Sequence, residues 1–335
     1  MSAKQTTTAR LLSSTAPLAV LVLVFLAAWL TTPNFAEITL REGRFFGAVI
    51  DILQNGSIVC LLAIGMTLVI AAGFIDLSVG SVMALSGAAA ALVLTSPLQS
   101  APLAICAGLA VGAACGVVNG ALVRFIGLPP IIATLVWLIA CRGIAQTITD
   151  DQKVRFVSPK FEHLANGSLF GLPLPLLLVA LIGASAVFLV RRCTAGLQIR
   201  GLGASPTAAA YCAVPVTRIT LTVFGICGAC AGLAGMIAAA DIKEADVATC
   251  GQYLELDAIL AVVLGGTPLR GGRANIIGSL LGALSMQTIS TTMQMRGVPA
   301  EHTLLIKGAF IIVATLVQSP ALRPRLARIF LRRAA

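Results

Sequence analysis

The sequence predicts an all-α integral membrane protein, a polytopic bundle of about ten transmembrane helices. Three observations predict it. Apolar residues fill 58% of the 335 positions and charged residues only 11%, against roughly a quarter charged in soluble domains. The mean hydropathy is +0.98. Apolar runs of spanning length follow one another along the chain, with basic residues unevenly placed between them.

A spanning helix takes about 20 residues. The runs lie near 15–31, 52–73, 78–95, 102–123, 130–148, 173–190, 217–240, 254–266, 274–291 and 304–318. The first follows Lys4 and Arg10, as in a signal peptide. No small-x-small cleavage site ahead of a soluble mature chain appears, so it reads as a retained helix. The second and third flank Asp76, the only charge between Ile64 and Gly87. A lone carboxylate facing lipid is expensive, and chains keep one where it faces protein, water or a moving part. The fourth carries Gly108, Gly112 and Gly116, the seventh Gly228 and Gly232, and the ninth Gly278 and Gly282. Small residues four apart let helices approach closely in lipid. The fifth holds Trp137 and Arg142. The eighth is too short for a full crossing and reads as a tilted or broken helix. The tenth contains Lys307.

With the N-terminus cytoplasmic, the inside segments hold Lys4, Arg10, Arg124, Arg191, Arg192, Arg200, Arg218, Arg270, Arg273, Arg323, Arg325, Arg328, Arg332 and Arg333, which is 14 of the 23 basic residues. Asp76 is the one acid assigned there, on the short turn between the second and third runs. Outer loops mix both signs, as in Asp150, Asp151, Lys153, Arg155, Lys160 and Glu162. This is the positive-inside pattern, and it puts both termini in the cytoplasm. The net charge of +10 thus reflects membrane topology, and nucleic-acid binding is set aside. Short loops leave no room for a soluble domain, so 1–335 reads as one membrane domain with a cytoplasmic loop at 191–218 and a basic tail at 319–335. In that loop Ser205 suits a helix N-cap and Pro206 the first helical position. An alanine-rich helix then runs from Thr207 to Ala213, ahead of Pro215.

Covalent chemistry finds no support. Of five lysines only Lys307 adjoins a glycine, which follows it, so no P-loop exists. No serine- or zinc-protease motif appears. Two histidines, His163 and His302, do not build a histidine metal site. The nine cysteines form no framework, and Cys227-Gly-Ala-Cys230 reads as small packing residues. Transport remains. Asp51, Asp76, Arg142, Asp257 and Lys307 are the ionisable groups of a possible proton relay, which would make the chain a proton-coupled secondary transporter. Against that, Asp51 and Asp257 lie near run starts, where the helix dipole favours carboxylates, and Lys307 can snorkel.

Several segments carry a family resemblance: Gly73-Phe-Ile-Asp-Leu-Ser-Val-Gly80, Asn119-Gly120, Ala133-Thr-Leu135, Arg142-Gly143, Asp257-Ala-Ile-Leu-Ala-Val-Val-Leu-Gly-Gly266 and Thr267-Pro-Leu-Arg-Gly-Gly-Arg273. In that order, over about 45–318, they resemble the ribose-type, branched-chain-permease-like permeases of ATP-driven (ABC) carbohydrate importers. Gly43-Arg-Phe-Phe-Gly47, Ile50-Asp-Ile-Leu53, Ala238-Ala-Ala-Asp-Ile242 and Leu254-Glu-Leu-Asp257 look most like a galactofuranose-importer permease. The resemblance implies a type II importer bundle in a bacterial inner membrane. It implies two permease chains around a shared path, a periplasmic sugar-binding protein, and two ATPase subunits that bind ATP and Mg²⁺, with no cofactor or metal in this chain. It makes Phe74, Asn119, Trp137 and Asp241 candidates for the sugar path. It makes Ser205, Pro206, Thr207, Ala208, Ala209 and Ala213 candidates for ATPase coupling. Gly73, Asp76, Ser78 and Gly80 would form a structural joint. Two departures stand out. Phe74 occupies a position where the family has glycine, and in the docking loop Thr207 and Ala213 replace a glutamate and a glycine.

Overall fold

The computed structural model describes residues 3–41, 44–169 and 171–318. The basic tail 319–335, with Arg323 to Arg333, and Gly43 lie outside the described residues. Thirteen helices are described. They are α1 (Ala3–Thr31), α2 (Ala48–Ala71), α3 (Val79–Thr95), α4 (Ala101–Ala121), α5 (Pro130–Ile148), α6 (Pro159–Asn166), α7 (Leu174–Arg192), α8 (Thr194–Ala204), α9 (Pro206–Tyr211), α10 (Val216–Ile242), α11 (Leu254–Leu264), α12 (Ile276–Met295) and α13 (Ala300–Gln318).

Local chemistry sets their ends. Ser100 accepts from the Leu103 N–H at the start of α4, and Asn275 from the Gly278 N–H at the start of α12. α4 runs on through one π-helical turn, Leu122–Ile126, and stops at Gly127 with φ 77°. α11 closes at Gly266, φ 82°, where Gly266 N–H donates to Val263 O and Thr267 N–H to Val262 O. That pairing satisfies carbonyls the helix end would otherwise strand.

Six helical segments are long and apolar enough to cross a bilayer: Ala48–Ala71, Ala101–Ile126, Pro130–Ile148, Leu174–Arg192, Val216–Ile242 and Ile276–Met295. Two further apolar stretches, Ala16–Thr31 and Val79–Thr95, are shorter. α11 has only 11 residues, in keeping with a broken eighth run. Against the expected ten or so crossings, the described residues thus supply six helices of full length.

α2 and α10 form the centre and are buried along most of their length. Their sides are covered by α3, α4 and α12, with the widest contact between α4 and α10. That contact is made by glycine on both sides. A Cβ on Gly112 would meet Gly228 O at 2.5 Å, and one on Gly116 would meet Phe224 O at 2.1 Å. α5 and α7 are apolar yet largely exposed, as helices facing lipid or a partner are.

The two ends differ in charge. Arg124 at the end of α4 donates to Thr217 at the start of α10. Arg191, Arg192, Arg200, Arg218, Arg270 and Arg273 lie in the segments that meet there. At the other end Val154–Arg155 pairs antiparallel with Glu244–Ala245. Lys153 bridges Glu244 at 3.4 Å and Asp246 at 2.8 Å, Arg155 bridges Glu244 at 3.1 Å, and Lys243 bridges Glu162 at 3.0 Å.

Candidate functional site

The site is built on chain without secondary structure. α2 closes through Gly73, φ 88°, with Gly73 N–H donating to Ile70 O at 2.9 Å and Phe74 N–H to Val69 O at 3.0 Å. From Phe74 to Ser78 the chain is unwound, yet it stays inside the bundle. The Phe74 ring packs on Phe224 of α10, with centroids 5.7 Å apart. Ile75 O accepts from Thr134 Oγ1 of α5 at 3.4 Å. Cys227, also on α10, lies beside the Asp76 carboxylate. Unwound backbone in an apolar interior needs such partners, because no water supplies them.

Asp76 is 1% exposed. Its Oδ1 accepts from Ser78 N at 2.9 Å, from Ser78 Oγ at 2.7 Å and from Asn119 Nδ2 at 3.5 Å. Asn119 Nδ2 also donates to Ser78 Oγ at 2.7 Å. This differs from a turn at the helix ends tied to a loop arginine. The carboxylate is held among α3, α4 and α10, and the hydrogen bonds that hold it come from neutral groups.

A second irregular stretch runs from Asp246 to Tyr253 ahead of α11. Asp246 Oδ1 accepts from the N–H groups of Ala248 and Thr249. The Arg142 guanidinium donates to Val247 O at 2.6 Å and Cys250 O at 2.8 Å, so it pairs with backbone carbonyls. Gly251, φ 72°, lies directly against Gly80. A Cβ on Gly251 would come within 2.1 Å of Gly80 O, and one on Gly80 within 2.3 Å of Gly251 O. The two broken helices, α3 and α11, thus begin side by side. Toward the mixed-charge end lies a cavity of about 180 Å³ bordered by Met83, Gly87, Ala239, Asp241, Asp246 and Thr249.

At the basic end the polypeptide forms α9. Ser205 Oγ accepts from Ala208 N at 3.2 Å and Pro206 is the first helical residue, as its sequence requires. Thr207 and Ala208 are exposed, Ala209 is buried against the body, and Tyr211 is 89% exposed. Ala213 takes φ 54°. Its N–H donates to Ala210 O at 3.1 Å, and Val214 N–H donates to Ala209 O at 3.0 Å. This is a glycine-type helix closure carried by a residue with a Cβ.

Gly73, Asp76, Ser78 and Gly80 therefore come together with Phe74 and Asn119. Trp137 is half-buried on α5 beside Cys115. Asp241 stands apart near the mixed-charge end, exposed, accepting from Gln54 Nε2 at 3.4 Å. Sequence reasoning missed Thr134, Cys227, Gly251 and the partners of Arg142. One readable signal was Asp76-Leu-Ser78 ahead of an apolar run, an Asx-turn pattern that marks a helix start. Of the relay candidates, Asp76 and Arg142 have separate partners, while Asp257 and Lys307 pair with each other. Asp257 binds Lys307 at 2.5 Å, so that lysine is paired rather than snorkelling. Among the described residues no His, Cys, Asp or Glu trio converges as a metal ligand set.

Charges outside the spans are tuned by their neighbours. Burial alone would raise Asp246, but Lys153 and Thr249 hold it below the usual carboxylate range. Lys243 lowers Glu162, and Asp246 and Glu244 raise Lys153. Burial pushes the Cys250 thiol up to about 11.

Residues 48–315 match the family model described as branched-chain amino acid transport system / permease component. The chain is 42% identical over 302 residues to the galactofuranose transporter permease protein YtfT of Escherichia coli (strain K12), covering 90% of this chain and 88% of that one. It is 38% identical over 284 residues to the fructose import permease protein FruF of Bifidobacterium longum (strain NCC 2705), covering 84% and 80%. It is 35% identical over 317 residues to the ribose import permease protein RbsC of Escherichia coli (strain K12), covering 93% and 95%. No solved structure matches it. With four-fifths of its length matched and six helices long and apolar enough to cross a bilayer, this chain belongs to the branched-chain amino acid transport system / permease component family.

Proposed function

We propose that this chain is the membrane permease of an ATP-driven sugar importer, coupled through α9 to separate ATPase subunits. One observation carries the reading. The chain presents a short, capped, exposed helix at its basic end, and the backbone leading into it at Gly203 packs on Ala71 and Gly73, next to the unwound segment that carries Asp76. The names of the relatives, permeases for galactofuranose, fructose and ribose, support a monosaccharide as cargo. Galactofuranose is the first to test.

In this reading the basic end faces the cytoplasm of a bacterial inner membrane, both termini lie there, and the chain crosses about ten times. Two permease chains enclose the path. A periplasmic binding protein delivers sugar to the mixed-charge end, where Asp241 borders the cavity, and Asn119 and Trp137 supply polar and aromatic contacts deeper in. Phe74, packed on Phe224, shapes the wall. Gly73, Asp76, Ser78 and Gly80 form the joint that moves. ATP and Mg²⁺ belong to the ATPase.

The mechanism needs no covalent step in this chain. Displacement of α9 by the ATPase moves the joint, and the joint alters the packing of α3 and α11 around the path. The test is reconstitution in liposomes with ATPase and binding-protein partners, following labelled sugar. Uptake is expected to require ATP and to vanish with an inactive ATPase. Uptake indifferent to both, or driven by a proton gradient, overturns the proposal.

A further inference from the structure

The expected docking residues begin at Ser205, and Ala209 of α9 packs on the body, but a closer, backbone-to-backbone contact with the bundle core lies two residues before Ser205. Gly203 sits in the last turn of α8, which leads through Ser205 into α9. A Cβ on Gly203 would come within 2.0 Å of Ala71 O and 2.6 Å of Gly272 N. Gly272 N–H donates to that same Ala71 O at 3.0 Å. A Cβ on Gly271 would stand 2.9 Å from Gly73 Cα and 3.0 Å from Gly203 O. Three chain segments therefore meet backbone to backbone: the end of α2, the end of α8, and the loop between α11 and α12. No side chain lies between them to absorb movement by changing rotamer, and close-packed groups transmit strain.

Gly73 is also the residue just before the unwound segment, three residues before Asp76. A push on α9 acts through Gly203 on Ala71 and Gly73, and so on the stretch that carries Asp76. Gly271 and Gly272, at φ 83° and 80°, fold the third segment into the same contact. We propose that Gly203 is the positioning residue through which the docking helix drives Gly73 and the unwound segment 74–78. This rests on α9 being the ATPase contact.

The test compares two alanines on one helix in the reconstituted complex. A Cβ added at Gly201 would meet nothing within 4 Å, so Gly201→Ala should transport within about twofold of the unchanged chain. Gly203→Ala should bind the ATPase normally yet lose uptake about tenfold, the size of a typical coupling energy. Normal ATPase binding with uptake equal to that of Gly201→Ala overturns this inference alone. An unchanged chain that binds no ATPase overturns both this and the function proposed above.

Should Gly203→Ala fail to fold, hydrogen exchange on the unchanged complex decides. Adding a non-hydrolysable ATP analogue is expected to alter protection in 71–78 and 206–211 together. A change in 206–211 with 71–78 unmoved overturns the proposal.

Discussion

Ala213 holds a left-handed backbone, φ 54°, that costs an L-residue about 1 kcal/mol or more relative to glycine. Ala213→Gly should stabilise the α9 closure by about 1 kcal/mol, read as a higher midpoint of thermal unfolding in detergent. An unchanged or lower midpoint would show that the strain is not there. Asp76 gives a second comparison. Asp76→Ala removes the acceptor for Ser78 N, Ser78 Oγ and Asn119 Nδ2 and leaves buried donors bare, at a cost of about 2 kcal/mol. Asp76→Asn keeps one acceptor oxygen and should cost less, with sugar preference unchanged in both variants. Equal melting of the two variants would count against these hydrogen bonds. The odd residue at 213 was legible in the sequence, because the resembling family has glycine there. The break after Gly73 was legible too, as the turn between the second and third runs, but the partners of Asp76 were not, because Asn119 lies 43 positions away.

The most extensive contact between helices is the glycine face of α4 on α10. Gly116→Ala drives a Cβ to 2.1 Å from Phe224 O, and overpacking of this kind costs about 1–3 kcal/mol. Gly143→Ala on α5 meets nothing within 4 Å and should behave as the unchanged protein. Size-exclusion profiles and thermal unfolding of the two variants check this, and a Gly116→Ala protein as stable as Gly143→Ala would refute the packing account. Hydropathy made the long helices legible, since each is a continuous apolar run. The four-residue glycine spacing announced close packing but not which helices meet, because pairing is a tertiary property. α6 and α8 escaped notice for a different reason. One is short and only half apolar, and the other lies in a loop whose Ser205-Pro206 signal pointed only at α9.

Across the whole molecule, charge separates into an arginine-rich end and an end of mixed ion pairs. The mixed end should be sensitive to acid. Asp246 and Glu162 lie below the usual carboxylate range, so their contribution is present above the unfolded value of about 4 and is lost as pH falls through the lower folded values. Lys153 lies above the lysine range, so its contribution is full below about pH 10 and lost above the raised value. Hydrogen exchange of 150–166 and 243–249, corrected for intrinsic rate, should stay level from about pH 5 to 9 and quicken below about pH 4. Level exchange down to about pH 3 would remove the ion pairs from the account. The unwound segment beside Asp76 has a further consequence, for synthesis. Backbone without helical hydrogen bonds cannot rest in lipid unaided. Residues 74–78 take their contacts from Asn119, Thr134, Phe224 and Cys227, all made later by the ribosome. The nascent chain must therefore hold this stretch at the membrane surface, or as provisional helix, until α10 has emerged. The joint is among the last parts of the bundle to be seated, although its residues are among the first to be translated.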